Sequence, residues 1–208
     1  MYNKKCKGPF RTLVPLVLAS GSPRRKELME RIGLDFHIKV SSSRELDTES
    51  GLEPHELVRE NAILKARDIA SVMPGHLVIG ADTCVALSNR VFGKPRDTED
   101  AVSMLEALAG RWHEVFTGLC IILPDHKKQI TDVVKSRVYV MDFGPEVMRS
   151  YCESGEPMDK AGSYAVQGAG SFMIKEIHGS WTNVVGLPMT RIVEILLEAG
   201  AIEPCVKN

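Results

Sequence analysis

The pattern of apolar and polar residues predicts an alternation of strand and helix at the start of the chain. An apolar, β-prone run spans residues 14–19 and is followed at once by Ser22-Pro23, a typical N-cap and first-turn pair of a helix. The next residues carry an apolar stripe at helical spacing as far as Gly33, which suits a left-handed C-cap. The predicted order is strand, tight turn, helix.

The same alternation continues beyond this first helix. Residues 36–40 predict a second strand, and residues 41–53 are too hydrophilic for anything but a loop. A long helix is expected from about Pro54 to Met73, because apolar positions recur there at helical spacing and Pro74 follows. The elements so far have the order βαβα.

The central segment predicts a buried strand, a hairpin and a helix. The strand lies within residues 76–95 and turns around Ser88-Asn89. Thr98 is expected to cap the helix, and Gly110 closes it.

Two long β-rich runs then follow, at residues 113–124 and 129–141. A polar turn separates them, which predicts an antiparallel hairpin and therefore a mixed sheet. The remaining predicted elements are a short helix from Pro145, an irregular loop at 154–162, strands near 163–168 and 171–177, and a closing helix from Pro188.

The composition is that of an ordinary globular protein. The chain has 208 residues, of which 44% are hydrophobic, so it can form a substantial core. We expect residues 1–208 to form a single domain of two intimate lobes. The formal net charge is −1, so no global field favours a nucleic acid polymer or an anionic membrane as a partner. Any bound anion must be held by a local cluster.

The cysteines indicate a reducing cytoplasm. There are five, an odd number, and none forms a CxxC pair, so neither a disulfide framework nor a zinc site is expected. The basic amino-terminal stretch is not expected to be a signal peptide, because Pro15 breaks its apolar run and arginines follow.

The first candidate for chemistry is the turn ASGSPRR, which holds Ser20, Ser22, Arg24 and Arg25. A helix N-terminus offers free N–H groups and a positive dipole end to an anion. Two arginines in the first turn weaken a helix unless an anion such as phosphate is present. Two solvated arginines after an ordinary helix start explain the same residues about equally well.

The second candidate is GADT, where a buried strand runs straight into Asp82. A buried carboxylate needs a cation or hydrogen-bond donors, so the position suits a base or a metal ligand, although such residues also occur as plain turn formers. Five further charged residues are scattered in loops and on helix faces, and each alone is typical of solvated surface. They are Glu45, Lys65, Lys94, Asp159 and Lys160.

The histidines have no metal-binding spacing, so any metal chemistry is expected to use carboxylates and a magnesium-like cation.

Taken together, these segments resemble the Maf family of nucleoside triphosphate pyrophosphatases. The matching blocks are LASGSPRRKEL, VIGADTCV, GKPRD, GRWHEVFTGL, SGEPMDKAGSYAVQGAG and IHGSWTNVVGLP, which span the chain from Leu18 to Pro188. The resemblance implies an α/β fold with a mixed twisted β-sheet flanked by helices and two lobes around a deep central cleft. It also implies a cytoplasmic homodimer that cleaves a nucleoside triphosphate to the monophosphate and pyrophosphate.

The resemblance assigns catalytic roles to four residues. Asp82 matches the proton acceptor, with Glu45, Lys65 and Lys94 beside it. Glu45 and Asp82 would bring Mg²⁺ or Mn²⁺. Substrate binding is implied for Ser20, Ser22, Arg24, Arg25, Thr83 and Gln167, and a supporting role for Asp159 and Lys160.

Three of these positions are similar to the subgroup that hydrolyses dTTP and UTP. They are Arg24, Thr83 and Gln167, and a glutamine amide can both donate to and accept from a pyrimidine. Two alternatives stay open. One is the same chemistry on another base, such as a methylated guanine nucleotide or a modified pyrimidine. The other is a nucleotide-binding regulator of cell division or septation without turnover.

Overall fold

A computed structural model describes residues 7–88, 90–125 and 128–206 of the chain. The strands are β1 Phe10–Thr12, β2 Leu16–Leu18, β3 Phe36–Ile38, β4 Leu77–Leu87, β5 Arg90–Phe92, β6 Arg111–Ile122, β7 Gln129–Val140, β8 Ile174–His178 and β9 Ile202–Pro204. The α-helices are α1 Pro23–Arg31, α2 Pro54–Val72, α3 Thr98–Leu108, α4 Pro145–Glu153, α5 Trp181–Val185 and α6 Met189–Glu198.

The main sheet is mixed, as the sequence predicts. Its strand order is β3-β2-β4-β6-β7-β8, and β5 pairs with the far end of β4. Strand β2 runs parallel to β3 and β4, whereas the β4–β6, β6–β7 and β7–β8 pairs are antiparallel. Strands β1 and β9 form a separate two-stranded sheet that joins the two ends of the described chain.

Helices cover the sheet in two halves. In the first half, alternate residues of β2 and β4 face opposite ways, so one set packs with α1 and α6 and the other with α2. In the second half, the far ends of β4 and β6 pack with β7, α3 and α4 around a separate apolar core. The long strands β4 and β6 run through both halves.

Helix α2 lies unusually close to the sheet. A Cβ added at Gly80 of β4 would stand 2.4 Å from the carbonyl oxygen of Ala62, and one at Gly118 of β6 would stand 2.2 Å from that of Val58. Real Cβ atoms essentially never approach backbone so closely. Glycine at these two positions therefore lets the helix backbone rest directly on β4 and β6.

Several sequence predictions are confirmed at the level of elements. Ser22 caps α1, and α2 begins at Pro54 and ends one residue before Met73. Strands β6 and β7 form the predicted antiparallel hairpin, although residues 126 and 127 of its turn lie outside the described residues. The predicted turn at Ser88-Asn89 is described only at Ser88.

Other predictions are wrong. Asp97, not Thr98, caps α3, since its side chain accepts from the backbone N–H of Asp100 at 2.8 Å. Residues 163–168 form no strand, because Ser163 and Gly168 have φ values of 60° and 89°, which extended pairing does not allow. The second strand of that region begins only at Ile174. Strands β1 and β9 and the short helix α5 were not anticipated.

The cysteines also depart from expectation in one place. Cys84, Cys120 and Cys152 are free and buried, whereas Cys205 is disulfide-bonded. The expectation of no disulfide is therefore wrong at Cys205, and Cys6 lies outside the described residues.

Within the described ranges, none of the helices has the length and apolar character needed to cross a membrane.

The close contact of α2 with the sheet predicts that Gly118→Ala destabilises the protein. The added methyl group meets backbone atoms that cannot rotate away, so we expect a loss of about 2 kcal/mol in the free energy of unfolding. Urea denaturation measures this loss. Gly93→Ala is the matched control, because a Cβ there meets nothing within 4 Å, and its expected change is within about 0.5 kcal/mol. Equal stability of the two variants would contradict the proposed contact.

Candidate active site

A cleft of about 880 Å³ opens where the two halves of the sheet meet. All twelve residues that the sequence singles out for chemistry line it. They are Ser20, Ser22, Arg24, Arg25, Glu45, Lys65, Asp82, Thr83, Lys94, Asp159, Lys160 and Gln167. Residues that span most of the chain therefore face one space.

The carboxylate of Asp82 stands at the centre of the cleft wall. It lies on the face of β4 that α2 covers, two residues beyond Gly80. The Nζ of Lys65, from α2, lies 2.7 Å from Oδ1 of Asp82 and 3.0 Å from Oε1 of Glu45. The side chains of Lys65 and Asp82 are only 11% and 14% exposed, whereas that of Glu45 is 56% exposed. One ammonium group thus bridges two carboxylates of different exposure.

Asn61 completes this cluster, and the sequence analysis missed it. Its Nδ2 donates to Oδ2 of Asp82 at 3.1 Å, and its side chain is buried in the cleft-facing side of α2. The signal was present in the sequence, because Asn61 and Lys65 interrupt the apolar face of α2 four residues apart. Two polar residues at that spacing on a buried face must find partners, and both find Asp82.

Cys84 follows on the same face of β4 but offers no nucleophile. Its Sγ lies 3.7 Å from the carbonyl oxygen of Pro54. Burial, together with the charge of Asp82, raises the pKa of this thiol to about 12. The group therefore stays a neutral thiol at physiological pH.

The two arginines of the first turn have different environments. Arg25 is buried, and its guanidinium donates to the backbone carbonyl groups of Gly186 and Ala81 at 2.7 and 2.9 Å. It also donates to the hydroxyl groups of Ser20 and Thr83 at 3.1 and 3.0 Å. Burial lowers the pKa of Arg25, which nevertheless stays charged. Most of its donors are thus used inside the protein, so Arg25 joins α1, β4 and the segment after α5.

Ser22 and Thr83 are also engaged within the protein. The Ser22 hydroxyl caps α1 by accepting from the Arg25 N–H. The Thr83 hydroxyl lies 2.9 Å from that of Thr117 as well as beside Arg25. These groups form the floor of the cleft, and the expectation that each contacts a nucleotide stays a prediction.

Arg24 reaches across the cleft instead. Its Nη1 lies 2.9 Å from Oδ2 of Asp159, and the Nζ of Lys160 lies 2.6 Å from Oδ1 of the same carboxylate. Burial opposes ionisation of Asp159, but the hydrogen bonds from Lys160 and Arg24 hold the pKa below its usual range. This ion pair links the start of α1 with the loop on the opposite wall.

Lys94 and Gln167 stand at other points of the cleft rim. Lys94 is exposed just after β5 and forms no ion pair with any residue in the described ranges, so its ammonium is available to an anion. Gln167 precedes a tight turn that Glu156 closes, since the Glu156 carboxylate accepts from the N–H groups of Ala169 and Gly170 at 2.9 and 3.0 Å. That turn fixes the backbone beside Gln167.

The oxygen ligands at the cleft suit a hard cation that is also coordinated by groups from outside the protein. Glu45 and Asp82 supply carboxylate oxygens, and both point at the cationic Nζ of Lys65. Among the described residues, no cluster of three or more histidine, cysteine, aspartate or glutamate side chains could hold a metal ion. Two carboxylates fit a cation whose remaining ligands are phosphate and water.

The fold and the cleft define an α/β protein that can hold a small polyanion beside a pair of carboxylates. A family model described as Maf-like protein matches residues 15–199. The chain belongs to the Maf-like protein family.

Relatives match over most of their length. The dTTP/UTP pyrophosphatase of Nitratidesulfovibrio vulgaris is 44% identical over 195 residues, which cover 94% of this chain and 92% of that protein. The dTTP/UTP pyrophosphatase of Acetivibrio thermocellus is 42% identical, with coverage of 90% and 96%. Among solved structures, the Staphylococcus aureus Ham1 protein aligns with 89% of this chain and 99% of that chain, at 16% identity and a TM-score of 0.47.

Proposed function

We propose that the protein is a nucleoside triphosphate pyrophosphatase that converts dTTP and UTP to the monophosphate and pyrophosphate. The observation that carries the proposal is the Glu45–Lys65–Asp82 cluster in a cleft edged by Arg24 and Lys94. Relatives named dTTP/UTP pyrophosphatase, at above 40% identity over nearly the whole chain, support it.

Asp82 is the group that accepts a proton from the attacking water. A carboxylate has about four lone-pair sites, and Lys65 and Asn61 use one on each oxygen, so capacity remains for a water molecule. Water that gives its proton to Asp82 attacks the α-phosphorus, the α–β anhydride bond breaks, and pyrophosphate leaves. Lys65 donates a hydrogen bond to Oδ1 of Asp82 at 2.7 Å and leaves the other lone pair of that oxygen open.

The positive groups of the cleft hold the polyphosphate. A triphosphate carries about four negative charges at neutral pH, and fixed cations stabilise the additional charge of the transition state. Lys94 and Arg24, which line the cleft, would supply these cations, whereas Arg25 supports the floor from inside. Glu45 and Asp82 would hold Mg²⁺ or Mn²⁺, which would neutralise phosphate charge and polarise the phosphoryl oxygens.

Recognition of the nucleotide base is assigned to the cleft wall that carries Gln167. The amide of Gln167 makes no hydrogen bond with other described residues, so both its donor and its acceptor are free for a pyrimidine edge. Thymine and uracil present the same hydrogen-bonding edge and differ by one methyl group, so both are accepted.

The wider proposal is a homodimer in the cytoplasm that acts on free nucleotides, with residues 1–208 as a single domain. Family resemblance supports the dimer and the cytoplasmic location. The continuous strands β4 and β6 support a single domain.

Product analysis tests the reaction. Purified protein with Mg²⁺ is expected to release pyrophosphate and monophosphate from UTP and dTTP, and activity is expected to disappear in EDTA and return with Mg²⁺ or Mn²⁺. Chromatography of the nucleotide together with a pyrophosphate assay identifies both products. Orthophosphate and a diphosphate as products would refute the proposal. A panel that includes methylated guanine nucleotides covers the alternative base, and binding without turnover would favour the regulator.

Asp82→Asn tests the proton acceptor. The amide keeps the shape of the carboxylate but cannot accept the proton, so kcat is expected to fall by about 10²-fold or more while the fold persists. Steady-state kinetics and circular dichroism measure the two effects. Asp132→Asn is the control, because Asp132 pairs with Arg191 outside the cleft and its loss should leave kcat unchanged. Normal turnover in a folded Asp82→Asn protein would remove Asp82 from the mechanism.

Gln167→Ala tests base recognition. The wild-type protein is expected to prefer UTP over CTP, which carries an amino group in place of a carbonyl, and the variant is expected to narrow the ratio of their kcat/KM values by about tenfold or more. Gln129→Ala is the control, since Gln129 bonds Arg67 outside the cleft. An unchanged UTP to CTP ratio in Gln167→Ala would show that another residue recognises the base.

A further inference from the structure

Asn61 lies in the middle of the cluster that the proposed reaction uses, and only 2% of the residue is exposed. Its primary amide makes three hydrogen bonds. Oδ1 accepts from the N–H of Leu46 at 2.7 Å, and Nδ2 donates to the carbonyl oxygen of Leu46 at 3.0 Å and to Oδ2 of Asp82 at 3.1 Å. Both donors of the amide are therefore used.

The bonds to Leu46 hold the loop that carries Glu45. Leu46 is the next residue after Glu45, and the amide pairs with both of its backbone groups, as a neighbouring strand would. The loop is exposed along residues 44–51 and has little packing of its own. Asn61 thereby anchors the backbone at Glu45 to the rigid helix α2.

The remaining bond fixes the other carboxylate. The Oδ2 atom of Asp82 accepts from Asn61 while Oδ1 accepts from Lys65, so the plane of the carboxylate is set by two donors from consecutive turns of α2. One amide group consequently touches both the Glu45 loop and Asp82.

We propose that Asn61 is a positioning residue, which sets the separation and orientation of the Glu45 and Asp82 carboxylates for hydrolysis. The inference rests on the proposed function for its kinetic consequence. Lys65 alone does not supply this restraint, because an ammonium group at the end of a flexible side chain gives attraction without a fixed direction. A displacement of about 1 Å in a reacting group can cost about 10²-fold in rate, so the amide matters although both of its donors are used within the protein.

The same loop has a second anchor, which provides a matched control. The carboxylate of Asp68, also on α2, accepts from the Ser41 hydroxyl at 2.8 Å and from the Ser42 N–H at 2.7 Å. The donors to Asp82 are Asn61 and Lys65, so Asp68→Ala is expected to loosen the loop and to leave Asp82 with both of them.

Two variants of Asn61 separate its two actions. Asn61→Leu keeps the number and branching of the side-chain heavy atoms, although its methyl groups are bulkier, and it removes all three hydrogen bonds. Asn61→Asp keeps an acceptor for the Leu46 N–H but removes both Nδ2 donors, to the Leu46 carbonyl and to Asp82, and it brings a second carboxylate beside Oδ2 of Asp82. We expect kcat to fall by about 10²-fold in Asn61→Leu and about tenfold or more in Asn61→Asp, with KM changed by less than about threefold in both. Asp68→Ala is expected to keep kcat within about threefold of wild type.

Amide hydrogen exchange gives a readout that needs neither metal nor turnover. Residue-resolved NMR should show loss of protection at the Leu46 N–H in Asn61→Leu, retained protection there in Asn61→Asp, and loss at the Ser42 N–H only in Asp68→Ala. If Asn61→Leu does not fold, Asn61→Asp and the exchange of wild-type Leu46 still decide the matter.

Three outcomes would overturn the inference. They are an unprotected Leu46 N–H in the wild-type protein, a kcat within about threefold of wild type in folded Asn61→Asp, and an Asp68→Ala variant as slow as the Asn61 variants. Failure of the proposed function is distinguishable, because the wild-type protein would then release no pyrophosphate while the exchange pattern stayed as described.

Discussion

The close seating of α2 on β4 and β6 is the constraint on which the site depends. Gly80 and Gly118 remove the side chains that would otherwise hold the helix away, so its backbone lies directly against the sheet. At that distance, Asn61 and Lys65 reach Asp82 within hydrogen-bonding range. A larger residue at either glycine would push α2 away from the sheet and lengthen these hydrogen bonds. The packing of the helix and the geometry of the site therefore both require glycine at these positions.

Burial of charge explains the rest of the arrangement. Asp82 lies in the middle of β4, not at its end as the sequence suggested. An isolated carboxylate there would be destabilising, and Asp82 is stabilised by one cation and one amide. Arg25 faces the same problem and solves it with four acceptors from three parts of the chain. The buried polar groups of the cleft floor are therefore held by hydrogen bonds to one another. A charged side chain near the rim, such as that of Lys94, is exposed to solvent and needs no partner within the protein. It is therefore available to a ligand.

The sequence predicted the fold class, the βα alternation and the family, and these are confirmed. It also placed twelve residues that do line one cleft, although their roles stay predictions. It missed Asn61 because the helix was identified from its apolar positions alone, and the polar residues on the same buried face were not considered. The apolar residues among 163–168 suggested a buried strand. In the structure Tyr164 and Ala165 are indeed buried, but within an irregular turn. Strands β1 and β9 lie at opposite ends of the chain, and such long-range pairing leaves no local signal.

The continuity of β4 and β6 has a mechanical consequence. Their ladder pairs every residue from Val78 to Ala86, so it passes beneath the cleft without interruption from one half of the protein to the other. Two lobes that are joined only by loops can close on a ligand by a hinge motion. Two lobes that share one continuous pair of strands resist such a motion, because it would bend the strands. The gap between the walls is consequently fixed in advance by the sheet. Discrimination among ligands then depends on how well each fits a preformed slot, and adjustment falls to side chains such as Arg24 and to the loop that carries Glu45.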